Sequence, residues 1–207
     1  MTVIGLCGGS GSGKTAVSEY LTSLGYPVFE SDREYHRLTD TATDCVRALA
    51  EAFGKGILNP DGSLNRRSLA KVVFANDTGA EEKRKRLNEI SHRFVKESFF
   101  AWRAKQEAAG QALAVLEAPL LFESGLDACC RYTVAVTAPD ALRCSRIIAR
   151  DGISVSEAEA RIASQIPSER LALLCDYTLD NAGTLEDMHT QVKQIIEDIL
   201  DKEKNHE

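Results

Sequence analysis

The stretch GGSGSGKT (residues 8–15) constrains this chain more than any other. It fits the spacing G-x-x-x-x-G-K-[ST], with Gly8, Gly13, Lys14 and Thr15 in register. The residues before it, TVIGLCG (2–8), run β-branched and apolar into the glycines, which predicts a buried strand. The residues after it, KTAVSEYLTSLG, place Ala16, Val17, Leu21 and Leu24 at helical spacing and stop at Gly25, which predicts an amphipathic helix. A glycine loop between a strand and a helix lets backbone N–H groups curl around phosphate oxygens, and the helix N-terminus adds partial positive charge. In that arrangement Lys14 reaches the β- and γ-phosphates of a nucleoside triphosphate, and the Thr15 hydroxyl binds Mg²⁺. Gly11, Ser12, Gly13, Lys14, Thr15 and Ala16 are therefore candidate ATP-binding residues. The motif does not say what is done with the nucleotide.

Four further strands are predicted, at YPVFES, ALAVLEAPLLF (112–122), YTVAVTA (132–138) and YTLDN (177–181). Helical patterns alternate with them: PDALRCSRIIARD, SVSEAEARIASQI and TLEDMHTQVKQIIEDILDKEK. The expected fold is α/β, a P-loop NTPase of nucleotide-kinase type, with a parallel five-stranded sheet and helices on both faces. From about 33 to 110 no convincing strand occurs, and helical stretches such as DCVRALAEAF and NRRSLAKVVFA follow one another. A crossover between strands needs far less chain, so 33–110 is expected to be a helical insertion that serves as a substrate platform. Residues 1–32 and 111–207 then form the core, with a helical lid over about 143–170.

Charge and cysteine usage narrow the partners. A net charge of −6 argues against a general nucleic-acid binder but allows an anionic small ligand in a locally basic pocket. No apolar run approaches the roughly 20 residues of a membrane span. The start lacks the basic n-region of a signal peptide. The six cysteines show no CxxC pair and no metal spacing. Reduced thiols and a cytoplasmic location are expected.

Two classes compete for the phosphate loop, a GTP-driven switch and a phosphotransferase. No N/T-K-x-D guanine reader is present, and DNAG (180–183), which fits D-x-x-G by letter, lies after the last strand. A phosphotransferase needs a base for the attacking hydroxyl. Asp32, just past the second strand, can fill that role with Glu30 beside it and His36 one helical turn on, or it can be a helix N-cap. Arg143, Arg146 and Arg150 share one helix face at i, i+3 and i+7. They are either a lid that neutralises charge on the transferred phosphoryl group, with Arg161 and Gln165, or a solvated basic face.

Taken together the motifs resemble the dephospho-CoA kinase family nearly end to end. The match runs through IGLCGGSGSGKTAVSEYLTSLGYPVFESD, FGKGILNPDGSLNRRSLAKVVF (53–74), APLLFESGLD (118–127), RDGISVSEAEARIASQIP (150–167) and DNAG. The resemblance implies ATP- and Mg²⁺-dependent phosphorylation of the ribose 3′-hydroxyl of dephospho-CoA, the last step of coenzyme A synthesis. It implies Asp32 as catalytic base with Lys14 and Arg146, and Arg143, Arg150 and Asn181 as further ATP-binding residues. It implies Glu117 as a carboxylate acting on Mg²⁺ through water. His36, Arg66, His92, Pro119 and Leu120, with Asp32, are the implied acceptor-binding residues. A monomer or weak homo-oligomer is expected. Four positions depart from the family pattern: Glu30 and Ser31 stand for Asp and Ala, Glu117 for Asp, and Arg93 for Pro. Another small-metabolite kinase and a nucleotide-gated binding module are the alternatives.

Overall fold

The computed structural model describes residues 1–75 and 79–205. The chain divides into two compact units, Met1–Phe29 with Gln106–Glu207, and Glu30–Lys105. Asp32 thereby falls in the second unit.

In the first unit β1 (Thr2–Cys7) lies between β3 (Leu113–Glu117) and β4 (Tyr132–Thr137). β5 (Tyr177–Asp180) pairs with β4, and β2 (Val28–Glu30) flanks β3 at the other edge. Among the described residues this sheet has five strands, in the order β2-β3-β1-β4-β5. β1 is parallel to both neighbours, with Ile4 opposite Val115 on one side and Tyr132 on the other. Val3 to Cys7 are all buried, as a central parallel strand covered on both faces requires. That explains why its sequence is a continuous apolar run rather than an alternating one.

The predicted third strand is shorter than its apolar run. It stops at Glu117, and residues 119–125 form turns, because Pro119 has no N–H to give a ladder. Sequence patterning also did not foresee the short helix Ser168–Leu174, which follows Pro167 and is too brief for a periodic signal.

Helix α1 (Lys14–Ser23) follows the glycine loop directly. The C-terminal helix Leu185–Lys204 begins with a reciprocal capping box between Thr184 and Asp187. Its Met188, Val192, Ile196 and Ile199 fall on one face and join Ile4, Leu6, Val17, Leu21, Val115, Val136 and Leu179 in the core. Each such side chain contributes about 1.5–3 kcal/mol on full burial. The sheet that carries the glycine loop therefore rests on a buried apolar layer.

The second unit is helical. In chain order its helices are α2 (Ser31–Thr39), α3 (Asp44–Phe53), α4 (Arg66–Val73) and α5 (Ala80–Ala108), the last running three residues past the unit boundary. Cys45, Val46, Leu49, Ile57, Leu69, Val73, Ile90, Val95 and Phe99 are buried. Of the neighbouring phenylalanines on α5, Phe99 is fully buried and Phe100 is exposed. The loop at Asn59–Gly62 turns through Gly62 at φ 83°, and Asp61 Oδ1 accepts bonds from the Ser63 backbone N–H and hydroxyl.

Candidate active site

The loop between β1 and α1 has its carbonyls held from behind. Three helices follow β4: α6 (Asp140–Asp151), α7 (Val155–Ala163) and α8 (Ser168–Leu174). Arg143 of α6 is only 1% exposed. It donates from Nε to the Ser10 carbonyl at 3.0 Å and from Nη1 to Asp140 at 2.8 Å. Arg146, one turn on, donates to the carbonyls of Gly11 and Ser12 at 3.3 and 3.4 Å and to that of Asn181 at 3.0 Å. The Asn181 amide closes the set with a 2.8 Å bond to the Ser12 carbonyl. Successive peptide dipoles of the loop are thus turned so that their oxygens meet cations and an amide. The opposite ends, the N–H groups, are what a phosphate needs.

Two glycines make this conformation possible. Gly11 has φ 76° and Gly13 φ 96°, both left-handed. A Cβ at Gly13 would stand 2.0 Å from the Asn181 amide nitrogen, so the close approach depends on glycine as much as the dihedral does. Gly13 is also the N-cap of α1, whose first-turn N–H groups have no side-chain cap. Lys14 Nζ donates to the Gly8 carbonyl at 2.8 Å. The Ser12 hydroxyl is buried and has no partner among the described residues. A buried orphan hydroxyl within a ring of glycine amides fits a phosphate-bearing ligand.

Residues that could serve a cation lie on α1 and at the end of β3. Thr15 is exposed in its first turn, and Ser18, one turn later, donates to Glu117 Oε2 at 3.4 Å. Glu117 ends β3 beside Leu6 of β1. A hydroxyl and one carboxylate form a hard oxygen set of the sparse kind Mg²⁺ takes when phosphates complete its shell. The longer Glu side chain spans to α1 from where Asp would stand.

The arginine face divides. Arg143 and Arg146 converge on the glycine loop, whereas Arg150 is exposed and forms a two-point pair with Asp151 at 2.7 and 2.9 Å. Of the three arginines aligned by spacing, two therefore brace the loop and the third pairs with its chain neighbour. Spacing of i, i+3 and i+7 aligns side chains along a helix, but α6 meets the loop over its first two turns only. Gln165, just past α7, does what spacing did not disclose. Its Oε1 accepts from the Ser10 N–H at 2.9 Å and from Arg143 at 3.0 Å, and its Nε2 donates to the Ser10 hydroxyl. Arg161 pairs with Asp151 instead.

Asp151 consequently sits between two guanidinium groups. The hydrogen bond from Arg150, then that from Arg161, holds its carboxyl at about 2, against roughly 3.9 for a free Asp. A folded value below the unfolded one adds stability that is complete above pH 4 and lost as pH falls toward 2. Carboxyl ¹³C titration should give an Asp151 midpoint near 2, and Arg161→Met should move it upward. A wild-type midpoint at the free-Asp value would mean that neither pair forms in solution, including the Asp151–Arg161 pair that joins α6 to α7.

The remaining candidates are distributed. Pro119 and Leu120 lie in the turns after β3, with Leu120 exposed. In the second unit Asp32 is the second residue of α2 and exposed, and the N-cap is Glu30, which makes no side-chain cap bond. The N-cap reading of Asp32 is therefore replaced by a first-turn position. His36 is exposed one turn along α2. Arg66, at the start of α4, bonds the His36 carbonyl, the Thr39 hydroxyl at 2.8 Å and Asp40 at 2.7 Å, so its guanidinium secures the C-terminal end of α2. His92 is half-buried within α5. No helix among the described residues is long and apolar enough to cross a membrane.

Residues 2–187 match the family described as dephospho-CoA kinase. A protein named dephospho-CoA kinase from Salinibacter ruber is 40% identical over 195 residues, covering 94% of this chain and 96% of that one. One of the same name from Corynebacterium efficiens is 36% identical over 204 residues, covering 99% and 100%. Among solved structures, TT1252 from Thermus thermophilus superposes with a TM-score of 0.80 at 32% identity, covering 95% of this chain and 97% of that one.

Proposed function

The chain belongs to the dephospho-CoA kinase family, and on that premise we propose that it transfers the γ-phosphoryl group of ATP to the ribose 3′-hydroxyl of dephospho-CoA, giving coenzyme A and ADP. The observation that carries the reading is the phosphate loop, whose carbonyls are occupied by Arg143, Arg146 and Asn181 and whose Ser12 hydroxyl is buried without a partner among the described residues.

In this reading the loop N–H groups and Lys14 bind the β- and γ-phosphates. Lys14 exchanges its bond to the Gly8 carbonyl for phosphate oxygen. Arg146 neutralises charge that develops on the transferred group, within reach of the loop it already braces. Arg143 is buried and its donors are engaged, so it acts as a positioning residue for the loop. Thr15 and Glu117 would hold Mg²⁺, Glu117 through water, and the ion would supply charge neutralisation at the β- and γ-phosphates. As the 3′-oxygen attacks phosphorus in line with the leaving ADP oxygen, its proton passes to the Asp32 carboxylate. His36, His92 and Arg66 bind the acceptor, with Arg66 acting through the end of α2 that it secures. Pro119 and Leu120 would contact the acceptor from the turn after β3.

The test is ATP consumption with Mg²⁺, with and without dephospho-CoA, and the mass of the product. Acceptor-dependent turnover giving a product one phosphoryl group heavier is expected. Turnover no greater than with a panel of nucleosides and other hydroxyl acceptors would remove dephospho-CoA as the substrate.

A further inference from the structure

Cys7 and Cys175 lie 168 residues apart in the chain, yet their sulfurs touch at 3.5 Å. Cys7 is the last residue of β1, fully buried, and its peptide leads into Gly8 at the foot of the phosphate loop. Cys175 is half-buried at the C-terminal end of α8, before β5. We propose that this pair is an oxidation site: a peroxide converts it to an intramolecular disulfide that disables the phosphate loop, and a thiol reductant restores it.

The surroundings suit each sulfur to one role. Cys175 is the one that solvent reaches. The hydrogen bond it shares with the Cys7 sulfur holds the Cys175 thiol below its ordinary range. The bond to Cys175 and burial push Cys7 in the opposite direction. Cys175 is thus the attacking thiolate and Cys7 the resolving thiol. The Cys175 thiol releases its proton to solvent, its sulfur attacks one peroxide oxygen, the O–O bond breaks, and the departing hydroxide takes up an equivalent proton to leave as water. The Cys7 sulfur then attacks the resulting sulfenic acid. The S–O bond breaks, the Cys7 proton leaves with that hydroxide as water, and the S–S bond forms. Two thiols are oxidised by two electrons, and one peroxide is reduced to two waters. The second step is intramolecular, so Cys7 need not be exposed.

Closing 3.5 Å to a bond of about 2.05 Å requires movement, and the structure dictates where. The Cys175 side is anchored: the next residue, Asp176, accepts from both the N–H and the hydroxyl of Thr133 at 2.8 Å and donates back to that hydroxyl. The Cys7 side ends in a peptide whose Gly8 carbonyl holds the Lys14 ammonium at 2.8 Å. A Cβ on Gly8 would lie 2.5 Å from the Val136 carbonyl and 2.7 Å from the Ser12 hydroxyl, so no slack exists there. Displacement of the Cys7–Gly8 peptide therefore passes into Lys14 and the loop. A shift on the order of 1 Å in a positioning element costs about a hundredfold in rate.

The whole chain is treated with hydrogen peroxide, digested without reductant and analysed by mass, alongside Cys175→Ser and Cys175→Ala. Affinity for a fluorescent ATP analogue is measured in parallel, so that the readout does not depend on the acceptor assigned above. The expected result is a linked peptide joining Cys7 to Cys175, two hydrogens lighter than the separate thiols. Analogue affinity should fall at least about tenfold, given the displaced loop, and dithiothreitol should restore it. Whichever substitution folds should keep its affinity after peroxide. Oxidised Cys175 without a linked peptide would overturn the proposal. So would a linked peptide with unchanged affinity, or equal loss in the substituted chains.

Discussion

Asp32→Asn is expected to lower acceptor-dependent turnover by on the order of a hundred- to ten-thousand-fold. Asparagine keeps the size and shape of the side chain but cannot take the 3′-hydroxyl proton. Two features make the substitution informative. Asp32 is exposed in the first turn of α2, and it is not the cap. As a first-turn acid it supplies only about 0.3–1 kcal/mol to the helix through the macrodipole. Thermal unfolding and ATP affinity should therefore match those of the unsubstituted chain while turnover collapses. Turnover within a factor of two of the original would take Asp32 out of the mechanism.

The second large effect is expected at Gly11→Ala. Gly11 adopts φ 76°, and a Cβ there would lie 2.5 Å from the backbone oxygen of Arg143 and 2.9 Å from its Cα. Those atoms belong to the main chain of α6 and cannot swing aside as a side chain could. The loop must retreat, and its carbonyls then leave Arg143 and Arg146. Turnover should fall by about a hundredfold, the cost of misplacing a positioning element on the order of 1 Å, and calorimetric titration should show clearly weakened ATP affinity. Gly25→Ala is the matched control. Gly25 has φ 89° but nothing within 4 Å of a Cβ, so the strain is present without the collision. It should lower stability while leaving ATP affinity intact. Equal affinities for the two substituted chains would mean that contact with α6 does not set the loop.

Much of this was legible in the sequence, for reasons that differ by element. The phosphate loop is a local object: its glycines, Lys14 and Thr15 lie within eight residues, and the strand and helix beside it declare themselves by pattern. The buried run of β1 and the amphipathic face of the last helix are also local periodicities. The apolar run of the third strand continues to Phe122 and so predicts a longer strand, while the backbone leaves the ladder at Pro119. The arginines show the limit best. Helical spacing places Arg143, Arg146 and Arg150 on one line, but it carries no information about where that line dives under the loop. The bond from Ser10 to Gln165 spans 155 residues, and the contact of Cys7 with Cys175 spans 168. Pairings of that range have no local signature.

The backing of the phosphate loop by Arg143, Arg146, Asn181 and Gln165 has a thermodynamic consequence. Fixing a backbone residue costs about 1–2 kcal/mol of conformational entropy. For Ser10, Gly11 and Ser12 that cost is met when the chain folds, by bonds to α6 and to the segments after α7 and β5. The nucleotide then meets a cradle already set, and little of its binding energy goes into ordering it. The same wiring makes the cradle dependent on residues from the far half of the chain. Loosening of the segment around Asn181 should raise amide hydrogen exchange in the loop well before the central strands exchange.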